Sequence, residues 1–171
     1  MQLFYYICAC SMNQLLLRKD LCHWTKGIQI RYNLSQLEHW VRAQHINVQE
    51  SAISATDSLQ PIIEASQLLQ ANKTDDDIEM LCSMCSRLTT AQIVKLLNMY
   101  TPVDDLEECV SLSFIRNVEN HLKKRKHPNE DQLLMDVKLA FAVRFPYSPS
   151  PMKLEDIDIP SVLNLPMLNK V

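Results

Sequence analysis

Cys82 and Cys85 stand three residues apart, Asp75, Asp76 and Asp77 form a run, and Cys22 adjoins His23; these side chains are the ones best suited to bind a metal or move a proton. A structural zinc site takes four thiolate or imidazole ligands, usually as two spaced pairs. The sequence has no second Cys-x-x-Cys and no His-x-x-x-His to complete one. A redox dithiol belongs on a strand–helix–strand unit, for which there is no pattern here. At i and i+3 both thiols face the same way as Leu81 and Leu88, so they read as small core residues. The three carboxylates are better placed to complement a helix N-terminus than to ligate a cation. Histidines 23, 39, 45, 121 and 127 are scattered, and none joins a Ser or Cys in a nucleophile motif. No catalytic, cofactor-binding or metal-binding residue is assigned, and an enzyme is not expected.

The same chemistry-first reading leaves two further signals. Lys123-Lys124-Arg125-Lys126 suits a nuclear signal, a phosphoinositide or an RNA, but reads first as the solvated cationic end of a helix. Ser148-Pro149 and Ser150-Pro151 fit a proline-directed kinase, though an extended arm alone accounts for them. Phosphate loops are excluded by composition. Among 171 residues there is one glycine, Gly27, whereas glycine-rich turns need several to bring backbone against phosphate. Hairpin-rich β folds need them too. The fold expected is therefore all-α, a multi-helix bundle. A net charge of −3 provides no general attraction to nucleic acid or anionic membrane.

Periodicity supplies the helices. The first is expected over 2–18, with Phe4, Ile7, Cys8, Ser11, Met12, Leu15 and Leu16 on its buried face. No Lys or Arg precedes it and polar residues interrupt it, so it reads as neither a signal peptide nor a membrane span; a cytosolic location with reduced thiols is expected. A second helix is expected over 28–45 through Ile30, Leu34, Leu37 and Val41, running on through Ser35-x-x-Glu38. After a polar connection at 46–58, a third passes Leu59, Ile62, Ile63, Ser66 and Leu69, with Pro61 tolerated in its first turn. Thr74 is expected to cap a fourth, through Ile78, Leu81, Cys82, Cys85 and Leu88. Thr89-x-x-Gln92 restarts the chain as a fifth, closed by Pro102, and a sixth spans 105–126. Pro146, Pro149, Pro151, Pro160 and Pro166 then exclude helix. The expected organisation is a bundle over 1–145 and an extended C-terminal arm over 146–171, lying in a hydrophobic groove of this bundle or of a neighbour. Gly27 falls at the turn between the first two helices, which predicts φ > 0 or close backbone packing.

Longer strings carry a more specific signal. Gln2-Leu3-Phe4-Tyr5, Leu15 to Asp20, Gln29-Ile30-Arg31-Tyr32-Asn33, Ser35-Gln36-Leu37-Glu38 with Trp40, Ala91-Gln92-Ile93-Val94-Lys95, Tyr100-Thr101-Pro102 and Phe145-Pro146 occur in one order. Together they resemble the dilute domain, the C-terminal half of the cargo-binding globular tail of class V myosins. The resemblance covers essentially the whole chain.

That resemblance implies a non-enzymatic tail module of a dimeric, coiled-coil actin motor, cytoplasmic and associated with vesicles and the actin cytoskeleton. It implies as partners Rab-family GTPases, cargo adaptors and the motor head, on which the tail folds back when no cargo is present. Actin is met only through the missing head. Lys19 and Lys95 match the basic residues of head docking, and Tyr32 and Gln70 match a tyrosine and a glutamine of a Rab-contacting surface. No cofactor is implied. The motor head, neck, coiled coil and first half of the tail are absent, so a fragment is expected. The linker Ala71-Asn72-Lys73 is shorter and less basic than the vertebrate pattern. An alternative is a scaffold or adaptor that carries a dilute domain without a motor.

Overall fold

The computed structural model describes residues 2–43, 49–103, 109–125 and 132–141, with backbone alone at 49–56. Those residues form six α-helices and no strand: α1 (Gln2–Leu17), α2 (Trp24–Ala43), α3 (Gln49–Gln70), α4 (Ile78–Met84), α5 (Thr90–Met99) and α6 (Leu112–Leu122). Short 3-10 turns at Lys19–Leu21 and Asp75–Asp77 precede α2 and α4. The boundary expected at 145/146, the arm, and Ser148 and Ser150 lie outside the described residues.

The uncharged helix α1 packs on α3 and α5 and buries Cys8, Ala9, Met12, Leu15 and Leu16. Ser11, expected on that face, is exposed, because the buried stripe is centred about a quarter-turn away. Helix α2 lies against α3 through Leu34 and Gly27. It begins four residues earlier than its stripe predicts. His23 explains the early start, since its Nδ1 accepts the Lys26 N–H at 3.3 Å, satisfying a first-turn donor. Gly27 is therefore inside a helix and not at a turn, and its φ is not positive. The other half of the expectation holds: a Cβ there would stand 2.9 Å from the Ser66 carbonyl oxygen and 3.0 Å from Leu69 Cβ.

Helix α3 starts at Gln49, inside the stretch expected to be a connection, so Pro61 is interior and not in the first turn. The ring removes the N–H that the Asp57 carbonyl would otherwise receive. Leu59, Ile62, Ile63, Ala65, Leu68 and Leu69 are nonetheless buried, and this tertiary burial holds the helix despite the lost bond. Thr74 does not cap α4 as expected. Its hydroxyl donates to Asp77 at 2.6 Å instead, across the 3-10 turn.

Helix α4 stops at Met84, before the expected end at Leu88, and residues 85–88 form a tight link to α5. Glu64 of α3 accepts its N–H groups, from Arg87 at 2.7 Å and Leu88 at 3.2 Å, together with the Ser86 hydroxyl at 3.1 Å. Arg125 donates to the Cys85 and Leu88 carbonyls from the other side. The basic run is thus not simply a solvated helix end. Lys123, which pairs with Glu119 at 3.0 Å, and Lys124 are exposed while Arg125 is half-buried; Lys126 lies outside the described residues. The capping box at Thr89 forms as its spacing predicts, with both reciprocal hydrogen bonds made. Helix α6 begins at Leu112, where Ser111 caps it by accepting the Phe114 N–H at 3.1 Å; the start expected near 105 lies outside the described residues. Val110, expected on its stripe, packs on the core from ahead of the helix.

Candidate partner-docking site

Lys19 and Lys95 come from separate elements that are joined through Cys22. Lys19 opens the 3-10 turn after α1 and is exposed; Lys95, halfway along α5, is half-buried. Cys22 joins the two elements. Its thiol donates to the Leu15 carbonyl at 3.2 Å, and its carbonyl accepts the Thr101 N–H at 2.8 Å from just beyond α5. Burial, reinforced by the Asp20 charge, pushes the Cys22 thiol up to about 11, while the positive field of Lys95 opposes the rise. Lys95 therefore stands close enough for its charge to reach the turn that carries Lys19.

The local charges do not cancel evenly. Arg18 and Asp20 form an ion pair at 2.7 Å, and Arg18 holds the Asp20 carboxyl below its usual value. That pair is neutral as a unit, which among the described residues leaves the charges of Lys19 and Lys95 uncancelled by Asp20. Lys26 adds a third, since its field also reaches Asp20 while its Nζ donates to Gln29 at 2.7 Å. Sequence reading missed Lys26. It lies in none of the matched strings, and only its position in the first turn of α2 could have pointed to it.

Tyr32 and Gln70 are not brought together in the same way. Tyr32, in the middle of α2, is 64% exposed. Gln70 ends α3 in the α2–α3 seam, its Nε2 donating to the Ser66 carbonyl at 2.9 Å and its stem beside Gly27. Tyr32 comes five residues after Gly27, so its position is turned about 140° around α2 from that seam. The ring is free to meet a partner, whereas one amide hydrogen of Gln70 is already used. Lys73 closes α3 beside it, donating to the Leu69 and Ala71 carbonyls with its Nζ 3.8 Å from the Tyr100 ring centre.

The thiol pair behaves as packing. Burial pushes Cys85 up to about 12 and raises Cys82, so both stay protonated. Among the described residues no three His, Cys, Asp or Glu side chains gather closely enough to hold a metal ion, and no helix is long and apolar enough to cross a membrane.

The DIL domain model matches residues 1–104, which include Lys19, Lys95, Tyr32 and Gln70. The chain belongs to the DIL domain family. It is 54% identical over 171 residues to human unconventional myosin-Va, covering 99% of this chain and 9% of that protein. A solved myosin V cargo binding domain superposes with a TM-score of 0.62 at 32% identity, covering 72% of this chain and 30% of that one. A second, Myo2-GTD in complex with Mmr1, gives 0.62 at 28% identity over 90% and 41%. This DIL-domain chain thus spans about a tenth of the full-length relative, and its match is to the cargo-binding tail, not to the motor ATPase head.

Proposed function

We propose that this DIL-domain chain is a cargo-binding and autoinhibitory module of a class V myosin, working in the cytoplasm on vesicles and the actin cytoskeleton. Its parent is then a coiled-coil homodimer that meets actin only through its head. One observation carries the docking half of this reading. Lys19, Lys26 and Lys95 stand on elements that meet at Cys22 in a chain whose net charge is −3, and among the described residues the Asp20 carboxylate there is already paired with Arg18. A surface of that kind suits an acidic face of the motor head and gives recognition that salt weakens. Solved relatives bound to Smy1 and Mmr1 support the cargo half. For a Rab-family GTPase the exposed Tyr32 ring is the better anchor, with Gln70 contributing through the amide capacity it has left.

The test adds the purified chain in trans to a tail-less class V motor and measures actin-activated ATPase. Inhibition by the wild-type chain that is lost with Lys19→Ala/Lys95→Ala supports the docking. No inhibition by the wild type, as the scaffold alternative predicts, overturns it. A pulldown with GTP-loaded Rabs, comparing wild type with Tyr32→Ala, tests the second surface.

A further inference from the structure

A different face of the bundle is already occupied by a peptide, the chain's own residues 132–141. They form no helix, and their side chains alternate: Leu133, Met135 and Val137 are half-buried, while Gln132, Leu134, Asp136 and Lys138 are exposed. None of the ten is buried. What holds them is recognition of their main chain by side chains of α1 and α5. Asn13 uses both ends of its amide on Met135, Nδ2 donating to the carbonyl at 2.9 Å and Oδ1 accepting the N–H at 2.8 Å. Gln2 repeats the arrangement farther along, donating to the Leu139 carbonyl at 2.8 Å and accepting the Phe141 N–H at 2.7 Å. Between them the Tyr5 hydroxyl donates to the Asp136 carbonyl at 2.9 Å. At the near end the Thr89 hydroxyl donates to the Gln132 carbonyl at 2.8 Å and Gln92 Nε2 to the Leu133 carbonyl at 3.0 Å.

Every one of these contacts reads backbone, which any sequence presents. Side-chain selection is slight: Leu133 and Met135 pack on the core, and Phe141 meets the Tyr5 ring edge-on at 5.2 Å. The main chain bends at Leu134 and turns over Asp136–Leu139, the Leu139 N–H meeting the Asp136 carbonyl at 3.3 Å and the Lys138 N–H the Asp136 carboxylate at 2.9 Å. The seven residues from Met135 to Phe141 nevertheless span the about 16 Å between Asn13 and Gln2 along α1. Strand addition at a sheet edge likewise relies on main-chain hydrogen bonds, but here the side chains of two helices supply them and the bound chain carries a turn.

We propose that this α1–α5 face is a binding site for short non-helical peptides and that residues 132–141 are its exchangeable resident. The partner is a segment of another protein that follows the same path, irregular with one tight turn, with apolar side chains at the positions of Leu133, Met135 and Val137 and free main-chain N–H groups. Exchange is favoured by the resident's lack of burial, which places it among the least stable parts of the fold. Tethering gives the resident an effective concentration in the millimolar range, so a competitor gains when the resident's own grip is loosened. Neither the lysines near Cys22 nor Tyr32 takes part, and the proposal does not depend on which parent protein carries the chain.

Met135→Pro loosens the resident alone, because it deletes the N–H received by Asn13 and leaves the face intact. A fluorescein-labelled peptide of residues 132–141 is titrated by anisotropy against the 171-residue chain, with circular dichroism recording helix content. Weak binding to wild type, about tenfold tighter to Met135→Pro, is expected. Adding Asn13→Leu to Met135→Pro should abolish it, and a peptide carrying Ser at positions 133, 135 and 137 should bind at least about tenfold more weakly. Four results would overturn the proposal. They are no binding to either chain, binding indifferent to Asn13→Leu, loss of helix in Met135→Pro, and exchange of the segment between two copies in place of peptide capture.

Discussion

Gly27 lies in α2 where an added Cβ would meet the Ser66 carbonyl oxygen at 2.9 Å, Leu69 Cβ at 3.0 Å and Gln70 Cγ at 3.1 Å. Two effects oppose each other in Gly27→Ala. Helix propensity favours alanine by about 1 kcal/mol. Against that, the first contact is with backbone, which cannot rotate away, so α2 and α3 must separate at a cost of about 1–3 kcal/mol. The contact should win. Gly27→Ala is expected to lose about 1 kcal/mol and Gly27→Val about 3 kcal/mol, since valine adds bulk and stiffness without alanine's propensity. Urea unfolding measures both, and an alanine variant more stable than wild type would show that the seam has room. The only glycine of the sequence is thus kept for a close approach and not for an unusual φ.

The link at 85–88 is held by Glu64 on its N–H groups and by Arg125 on its carbonyls, so α3 and the end of α6 are joined through four residues of irregular chain. Glu64→Ala would strand the buried Leu88 N–H and release the part-buried Arg87 N–H to water, and should cost about 1–3 kcal/mol. The pH dependence has a definite sign. Burial pushes the Glu64 carboxyl above its ordinary value, and its hydrogen bonds to Arg87, Ser86 and Leu88 offset this only in part. A carboxyl raised on folding contributes stability at low pH and loses it as the pH rises through the folded value. The unfolding free energy of wild type relative to Glu64→Gln should therefore grow as the pH falls from neutral toward the ordinary glutamate range, and a flat or shrinking difference would contradict the assignment. Neither clamp residue stands out in the sequence. Glu64 sits in a stretch where Ile62 to Ser66 are all buried, leaving no exposed face to flag an acid as misplaced, and Arg125 is one of four consecutive cations. The helices themselves were legible, because Leu15, Leu34, Leu69, Leu96 and Val118 recur at helical spacing and are buried. Their ends were less so. His23 and Ser111 cap by side-chain contacts that spacing alone does not rank, and tertiary burial outweighs Pro61 within α3. Lys19, Lys95 and Tyr32 were legible only as parts of matched strings, and Gln70 only through the resemblance those strings carry. Their arrangement around Cys22 and Gly27 depends on which helices touch.

At the scale of the whole molecule, a net charge of −3 coexists with Lys19, Lys26 and Lys95 near a turn whose Asp20 is paired with Arg18. Such a distribution orients the chain toward an acidic surface only at close approach, where the local charges outweigh the net one. Each lysine is exposed or half-buried, so each interaction is worth only about 0.5–1 kcal/mol at low salt. Losing two should therefore weaken head docking about tenfold. Salt distinguishes this from a structural defect. The screening length shrinks from about 10 Å at 0.1 M to about 3 Å at 1 M. The half-inhibitory concentration of the wild-type chain against a tail-less motor should consequently rise with ionic strength, toward that of Lys19→Ala/Lys95→Ala, whose own value changes little. Lys26→Ala should fall between the two, as the third charge near that turn. A wild-type to double-mutant ratio that stays constant from low to moderate salt would mean that the lysines act through packing and not through their charge. Equal inhibition by wild type and double mutant at every salt would move the docking surface elsewhere on the bundle.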